Sequence, residues 1–385
     1  MLRRDFLKWS AAAGGVAALV PRAAFGAPGA RYSRLLVLVE LKGANDGLNT
    51  VVPYADPAYY ALRPRIGIKR DEVASLDERF GFHPALAPLL PLWRAREIAI
   101  VHGVGYANPN LSHFRSIEIW DTASNPDEYL HEGWLARAFA GAPAPAAFAA
   151  EGVVIGSNDF GPLAGGSART IALANTEQFT RQARLAQPTA ASGNAALAHI
   201  LKVESDVVHA ASGLASGATL RTEFPQGPFG NAVRTAAQVV ASPGGVAVLR
   251  LTLNGFDTHQ NQPGVHSNLL KQLAEGLVAL KDALVELGRW ESTLILTYSE
   301  FGRRAQENGS NGTDHGTASV QLALGGRVAG GFYGGAPRLD RLESGNLVHT
   351  VDFRSLYATV LERWWGIPSS PTLGGRFPTL DFVRA

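Results

Sequence analysis

The stretch that decides the fold reads VAVLRLTLNGFDTH and spans residues 246–259. Its apolar run predicts a buried strand that ends near Asn254, and its last five residues predict a turn. Leucines at helical spacing then predict a helix from about Gly264 to Leu287, and a second apolar run predicts a strand from Thr293 to Tyr298. A strand, a helix and a strand of these lengths are typical of a right-handed parallel crossover.

The flanking sequence continues this alternation of strands and helices. Further strands are predicted at Leu35–Leu41, Glu97–Gly103 and Val320–Leu324. Further helices are predicted at Pro84–Trp93, Asn110–Thr122, Asn231–Ala241 and Phe353–Trp365, with loops at Ala140–Ala150 and Ser157–Gly166. The predicted fold class is therefore α/β, a three-layer α/β/α sandwich around a mainly parallel central sheet.

Size and composition set limits on the class of protein. The chain has 385 residues, of which 46% are hydrophobic and 18% charged, enough for one large domain or two smaller ones. We predict a single α/β domain over residues 28–385, with an alanine-rich helical insertion at about 178–213. The net charge is +2 without a Lys/Arg-rich stretch, which argues against nucleic acid binding. The absence of cysteine excludes disulfides and thiolate zinc sites.

Residues 1–27 are predicted to be a twin-arginine signal peptide. The motif RRDFLK at residues 3–8 precedes the apolar run Ala11–Val20. Ala24 and Gly26 fit the small residues of a cleavage site before Ala27. The alternative is a membrane anchor, but the run is too short to span a bilayer. We therefore expect the twin-arginine export machinery as a partner, a periplasmic or secreted protein, and no stable membrane insertion after cleavage.

Three short motifs contain Asp or His side chains that can bind a metal ion. Asp46 lies in GANDGLN, Asp257 and His259 lie in GFDTH, and Asp314 and His315 lie in TDHG. Two of the motifs directly follow predicted strands, and the carboxyl ends of parallel strands meet at one crevice. Mixed Asp/His sets suit divalent transition metals. For Asp46 the alternative is a turn cap, since Asn-Asp-Gly is a strong turn signal.

Three further residues are candidates for catalysis. Glu300 ends its strand in SEFGRR and is a metal ligand, a general base or a partner of Arg303. Arg303 either binds an anionic group or forms a surface ion pair. Ser112 precedes a predicted helix, where it is either a metal-activated nucleophile or a simple N-cap.

The motif set as a whole resembles a known family. The motifs GANDGLNT, LSHFRS, GFDTH, SEFGRR and TDHG, together with the twin-arginine signal, are similar to the exported bacterial family called domain of unknown function fifteen-oh-one. The resemblance covers essentially the whole mature chain. That family is regarded as a distant relative of the alkaline phosphatase and sulfatase superfamily, which implies a metal-dependent hydrolase of phosphate or sulfate esters.

The resemblance also implies roles for individual residues. Asp46 resembles the first metal aspartate, and Ser112 matches the order of the nucleophile. The middle metal pair corresponds to Asp257 and His259, and the late pair corresponds to Asp314 and His315. His349, ahead of the last predicted helix, resembles the final ligand region.

Two main functions follow as hypotheses. The first is an exported hydrolase that uses a divalent metal (zinc, manganese or calcium) on a small-molecule or polymer ester. The second is a non-catalytic secreted binding or assembly protein that keeps the fold. For the second, tryptophans such as Trp120, Trp134, Trp364 and Trp365 are either sugar-stacking residues or core residues. A third possibility is calcium in a purely structural role.

Overall fold

The computed structural model describes residues 31–166, 168–183, 195–214 and 219–384. The predicted signal peptide and the middle of the predicted insertion, residues 184–194, lie outside the described residues. The described strands are β1 (Leu35–Lys42), β2 (Val51–Val52), β3 (Ala74–Ser75), β4 (Gly81–Phe82), β5 (Ile98–Gly105), β6 (Ala150–Ile155), β7 (Thr170–Leu173), β8 (Val246–Asn254), β9 (Thr293–Tyr298), β10 (Ser319–Leu324), β11 (Gly331–Tyr333) and β12 (Val351–Asp352).

The helices lie between these strands. The described α-helices are α1 (Gly47–Thr50), α2 (Pro57–Leu62), α3 (Leu90–Arg94), α4 (His113–Thr122), α5 (Trp134–Gly141), α6 (Thr176–Ala183), α7 (Ala195–Leu214), α8 (Pro228–Ala241), α9 (Gln262–Glu286), α10 (Phe353–Ala358) and α11 (Ser370–Leu373). Short 3-10 helices are present at Pro84–Leu89, Gly161–Leu163 and Trp290–Ser292, and a π-helix at Thr359–Trp365 continues α10.

The central sheet is mainly parallel. Within the described residues its strand order is β11-β5-β10-β9-β1-β8-β6-β7, with β12 also paired to β5. Among the described strands of this sheet, only β10 runs antiparallel, against both β5 and β9, whereas the other pairs are parallel. A small second sheet has the order β2-β4-β3. The predicted crossover from β8 to β9 is parallel, but β1 lies between its two strands.

Side chains of β1 show why the sheet is covered on both faces. Leu35, Val37, Val39 and Leu41 belong to one buried cluster, which includes residues of α8 and α9. Leu36 and Leu38 point the other way, into a cluster with Trp120 of α4 and the segment 353–367. Alternate residues of a strand face opposite sides of its sheet, so a continuous apolar run requires two covering layers. The predicted three-layer sandwich is confirmed.

Several predicted elements differ in detail. The predicted loop Ala140–Ala150 is followed by β6, and β7 comes shortly after; neither strand was predicted, because both are short and β6 includes a glutamate and a glycine. The predicted insertion holds α6 and α7 at its two ends. The boundaries of a single domain over residues 28–385 stay a prediction. Among the described helices, none combines the length and apolar composition required to cross a bilayer.

Candidate metal centre

The carboxyl ends of β1, β9 and β8 meet at one edge of the sheet. Gly43 follows β1, and its backbone N–H donates to Oε1 of Glu300, which follows β9, at 2.9 Å. Gly43 has a φ of +112°, and a Cβ at this position would lie 2.5 Å from the backbone nitrogen of Asp257. Only glycine permits so close an approach in this conformation. The turn after β1 thereby brings the segments after β8 and β9 together.

Three histidines and one aspartate converge at this edge. The Nε2 atom of His315 lies 3.0 Å from Nε2 of His113 and 3.0 Å from Nε2 of His259. Oδ1 of Asp257 lies 3.3 Å from Nε2 of His113, 3.0 Å from that of His259 and 3.3 Å from that of His315. Among the described residues, the ligand atoms of His113, Asp257 and His315 form a group within 4.8 Å of one another. His259 adjoins two members of that group.

The other ring nitrogen of each histidine is oriented by an oxygen. Nδ1 of His113 donates to Oε1 of Glu300 at 2.7 Å, and Nδ1 of His315 donates to the carbonyl of Leu111 at 2.8 Å. Nδ1 of His259 lies 3.5 Å from Oδ1 of Asp314. An imidazole that donates from Nδ1 and is neutral has only a lone pair at Nε2. When neutral, His113 and His315 therefore present lone pairs at Nε2, which suits a bound cation better than a hydrogen bond between the two rings.

The ligand atoms of His113, Asp257 and His315 are spaced like three ligands of a tetrahedral transition-metal site. Ligand bonds of about 2.0–2.1 Å in a tetrahedral site separate neighbouring donor atoms by roughly 3.3 Å. The contacts among Asp257 and the histidines, 3.0–3.3 Å, are close to that spacing. Metal-bound histidines ordinarily donate their second N–H to a carboxylate or carbonyl, as His113 and His315 do here.

Burial and neighbouring charges shift the pKa values of the acidic residues and histidines at this site. Burial opposes ionisation of Asp257, but the hydrogen bond and positive charge of Arg303 outweigh it and lower the pKa of Asp257 to about 2. Burial likewise opposes ionisation of Glu300, yet its bond from His113 leaves the pKa of Glu300 below its ordinary value. The same bond raises the pKa of His113, while burial lowers the pKa of His315.

The chain segment between β9 and β10 places His315 by doubling back on itself. Arg303 and His315 form an isolated antiparallel bridge. On either side, the N–H of Arg304 donates to the carbonyl of Asp314 at 3.0 Å and that of Gly316 donates to Gly302 at 2.9 Å. A Cβ at Gly316 would lie 2.3 Å from the carbonyl carbon of Arg303, so glycine is required for this approach. The late Asp-His pair thus enters the crevice just before β10.

Comparison with known proteins places the chain in a family. The family profile described as "Protein of unknown function (DUF1501)" matches residues 99–369. The chain belongs to this family. The family predicted from the motifs is therefore confirmed. A profile for the twin-arginine translocation pathway signal sequence matches residues 3–20, which confirms the predicted export signal. No curated protein matches the sequence.

Three solved structures are similar to the chain at low identity. A protein in the alkaline phosphatase superfamily from Vibrio parahaemolyticus is 11% identical, with 89% of this chain and 69% of that chain covered at a TM-score of 0.43. The lipoteichoic acid synthase LtaP from Listeria monocytogenes is 8% identical, with coverage of 89% and 75% and a TM-score of 0.41. The phosphonate monoester hydrolase of Agrobacterium radiobacter is 10% identical, with coverage of 89% and 78% and a TM-score of 0.38.

Asp46 of this DUF1501 protein is not brought into the histidine group. Its Oδ1 accepts from the backbone N–H groups of Leu48 and Asn49 and so caps α1. Its Oδ2 accepts from Arg63 at 2.6 Å and from Gln262 at 2.5 Å. Both oxygens of this buried carboxylate are engaged by protein donors, so the predicted ligand is corrected to the alternative, a turn cap.

Arg303 does not present its guanidinium to an anionic ligand. It is fully buried, and its nitrogens donate to the carbonyls of Ala44 at 2.8 Å, Thr313 at 3.0 Å and Phe256 at 3.1 Å, and also to the carbonyl of Gly43. Nη2 forms an ion pair with Oδ1 of Asp257 at 2.6 Å. The predicted anion-binding role is therefore corrected: Arg303 ties three loops together beneath the histidines.

The other predicted residues take different positions. Ser112 is exposed at the N-cap position of α4, but its hydroxyl makes no capping hydrogen bond. The side chain of Asp314 is 56% exposed and accepts from Asn308 at 3.0 Å beside His259. His349 lies against Gly105 at the end of β5 and is not a member of the group. The four tryptophans considered for sugar stacking are all buried, which makes them core residues.

His113 is the member of the histidine group that the sequence motifs do not indicate. The motif LSHFRS drew attention to Ser112 as a helix start, although the next residue supplies a ring nitrogen to the group. The available signal was a histidine at the first position of a helix that follows a buried strand. Ser116, one turn later, donates to the backbone carbonyl of Glu300 at 2.5 Å and fixes α4 against the end of β9.

Proposed function

We propose that the protein is an exported, metal-dependent hydrolase of phosphate or sulfate esters. The observation that supports it most is the convergence of three histidine Nε2 atoms on Oδ1 of Asp257, with two of the rings fixed through Nδ1. The site is open to substrate, since the side chains of Asp257 and His259 are 47% and 42% exposed. The ester class rests on the resemblance of the motif set to the alkaline phosphatase and sulfatase superfamily.

In this proposal His113, Asp257 and His315 would hold the ion, and His259 would join them from its place beside Asp257 and His315. A divalent ion bound there would polarise an ester oxygen and lower the pKa of an attacking hydroxyl or water. Glu300 keeps the Nδ1 proton on His113 and therefore keeps Nε2 available as a donor atom. Arg303 holds Asp257 ionised and fixes it to the turn after β1.

The donor set favours zinc among the three metals predicted. Imidazole nitrogens suit zinc, whereas manganese and calcium prefer sites built mainly from oxygens. Here three of the four converging atoms are nitrogens. A structural calcium site would need several more carboxylate or carbonyl oxygens directed at the same point.

Ser112 is the candidate nucleophile. Its hydroxyl is not used for capping, its side chain is exposed, and it directly precedes His113. If Ser112 attacks the ester, Ser112→Ala abolishes turnover while the ion stays bound. If water attacks instead, the same variant keeps most of its activity. Single-turnover measurements with an aryl ester, with and without the substitution, distinguish the two routes.

Metal content and ester hydrolysis of the exported chain test the proposal together. Purified protein is analysed for bound metal by mass spectrometry and assayed with aryl phosphates and aryl sulfates. We expect zinc to be present, and both zinc and activity to be lost in Asp257→Ala. His349→Ala is the matched control, because His349 is outside the group, and it keeps both properties.

A folded, zinc-free protein that cannot take up zinc and hydrolyses neither ester would contradict the proposal. That outcome would favour the non-catalytic binding or assembly protein. Bound zinc without hydrolysis would support the metal site and contradict the proposed enzymatic activity.

A further inference from the structure

A buried amide links the two loops that supply most of the metal-binding atoms. Gln262 is the first residue of α9 and is fully buried. Its Oε1 accepts from the hydroxyl of Thr258 at 3.0 Å and from the hydroxyl of Thr313 at 2.7 Å. Its Nε2 donates to Oδ2 of Asp46 at 2.5 Å. One side chain therefore contacts a loop after β8, a loop before β10 and the cap of α1.

The two threonines lie within the metal-binding loops themselves. Thr258 stands between Asp257 and His259, and Thr313 precedes the Asp314-His315 pair. Both side chains are buried, and the backbone N–H of Thr313 donates to the carbonyl of Thr258 at 3.2 Å. A shift of either threonine would displace its neighbours in the histidine group by a similar amount.

The ionised carboxylate of Asp46 determines which groups in this network donate hydrogen bonds and which accept them. Burial opposes ionisation of Asp46, but the ion pair with Arg63 at 2.6 Å keeps its pKa below the ordinary value. A carboxylate can only accept, so the amide of Gln262 must direct its NH₂ group towards Asp46. Its carbonyl oxygen then faces the two threonines, and both hydroxyls must donate to it. Each loop is held in one orientation as a result.

We propose that Gln262 is a positioning residue that sets the spacing of the two metal-binding loops, with Asp46 as its anchor. Its effect on ion affinity rests on the proposed metal site; its effect on the loops does not. Outer hydrogen-bond partners of metal ligands typically contribute 10–100-fold to metal affinity. Asp46 thereby acts on the site through Gln262 rather than by direct ligation.

The test replaces Gln262 with methionine, which has a similar length and lacks both hydrogen-bonding groups. Zinc affinity is measured by competition with a chelator, and amide hydrogen exchange is followed in residues 255–261 and 308–316 of the metal-free protein. Because Gln262 contacts the neighbours of the ligands rather than the ligands, we expect zinc affinity to fall about 10-fold, the lower end of the effect of direct partners, and exchange to accelerate in both loops. The cobalt-substituted protein should show altered d–d absorption bands, because the ligand geometry changes.

Gln321→Met is the matched control for general destabilisation. Gln321 is also buried, and it accepts from the hydroxyl of Thr297 at 3.0 Å inside the sheet. It should lower the stability without changing zinc affinity or exchange in the two loops. Unchanged affinity and unchanged loop exchange in Gln262→Met would overturn the proposal.

A milder pair of variants applies if Gln262→Met does not fold. Thr313→Val removes the hydroxyl, whereas Thr313→Ser retains it, so only the valine variant should loosen the loops. Equal loop exchange in the two variants would also overturn the proposal. If the unsubstituted protein binds no zinc, the proposed function fails, but loop exchange in the metal-free protein still decides whether Gln262 positions the loops.

Discussion

Asp46 and Asp257 follow neighbouring parallel strands, yet they occupy opposite kinds of environment. Asp46 is 1% exposed, and both of its oxygens accept from protein donors. The side chain of Asp257 is 47% exposed, and its Oδ1 faces three imidazole nitrogens as well as Arg303. A position after a strand is therefore insufficient to make a carboxylate a ligand. Asp257, the ligand that we propose, is the one that lies in the open crevice beside other potential donor atoms.

The largest expected effect is a loss of bound zinc, caused by a substitution in the exposed group around Asp257. His315→Ala removes the nitrogen that contacts both other histidines. We expect the zinc content to fall from about one ion per chain to a small fraction, as measured by elemental analysis after dialysis. Retention of a full equivalent of zinc would show that the histidines do not form the site.

Substitution of the buried Asp46 is expected to lower the free energy of unfolding. Asp46→Ala leaves the buried Arg63 without its partner, and breaking one side of a buried ion pair costs about 3–5 kcal/mol. Chemical denaturation should show this loss in the free energy of unfolding. At saturating zinc the ion count should equal that of the unsubstituted protein. A lower count would mean that Asp46 is a ligand.

Glu300 lies between these two extremes, since it is buried but contacts a candidate ligand directly. Glu300→Ala removes the acceptor of Nδ1 of His113, so zinc affinity should fall roughly 10–100-fold. Glu300→Gln keeps an acceptor oxygen and should recover part of the affinity. Isothermal titration of the metal-free variants measures both values. Equal affinities in the alanine variant and the unsubstituted protein would exclude an orienting role.

The last prediction concerns a histidine outside the group. His102 packs against Phe80 and Phe332, and burial lowers its pKa to about 4. Because its folded pKa is below the unfolded value of about 6.5, the unfolded chain binds the proton first. Its contribution to stability is therefore lost as the pH falls from about 6.5 to 4, by about 1.4 kcal/mol per pH unit. Denaturation curves of His102→Gln should show a smaller slope, with the remainder due to His83 and His266, whose pKa values burial also lowers, to about 4 and about 3. An unchanged slope would assign it to other groups.

The parts of the fold that depend on local pattern could be predicted from the sequence. Long apolar runs indicate β1, β8 and β9, because a strand covered on both faces is apolar at most positions. The direction of β10 could not be predicted in this way, since an apolar run indicates burial and not orientation. Short strands such as β6 and β7 gave too weak a pattern.

Some residues of the candidate site could likewise be predicted from the sequence, and others could not. Asp257, His259 and His315 were expected in one crevice, and the structure places them there, while their role as ligands stays a prediction. The sequence leaves Asp46 open between ligand and turn cap, because its partner Gln262 lies more than two hundred residues away and no local motif reports that contact. His113 was missed because a helix start was interpreted through its serine alone.

The antiparallel bridge between Arg303 and His315 has a consequence for engineering. The chain leaves the sheet after β9 and returns to it at β10, and the bridge closes this excursion near its base. Its tip, Gly309 to Asn311, is exposed and lies beyond the closure, although the carbonyls of Ser310 and Asn311 accept from Asn261 and Gln262. Since lengthening a closed loop adds entropy cost only slowly, a reporter peptide or a foreign recognition sequence grafted at the tip should leave the bridge intact.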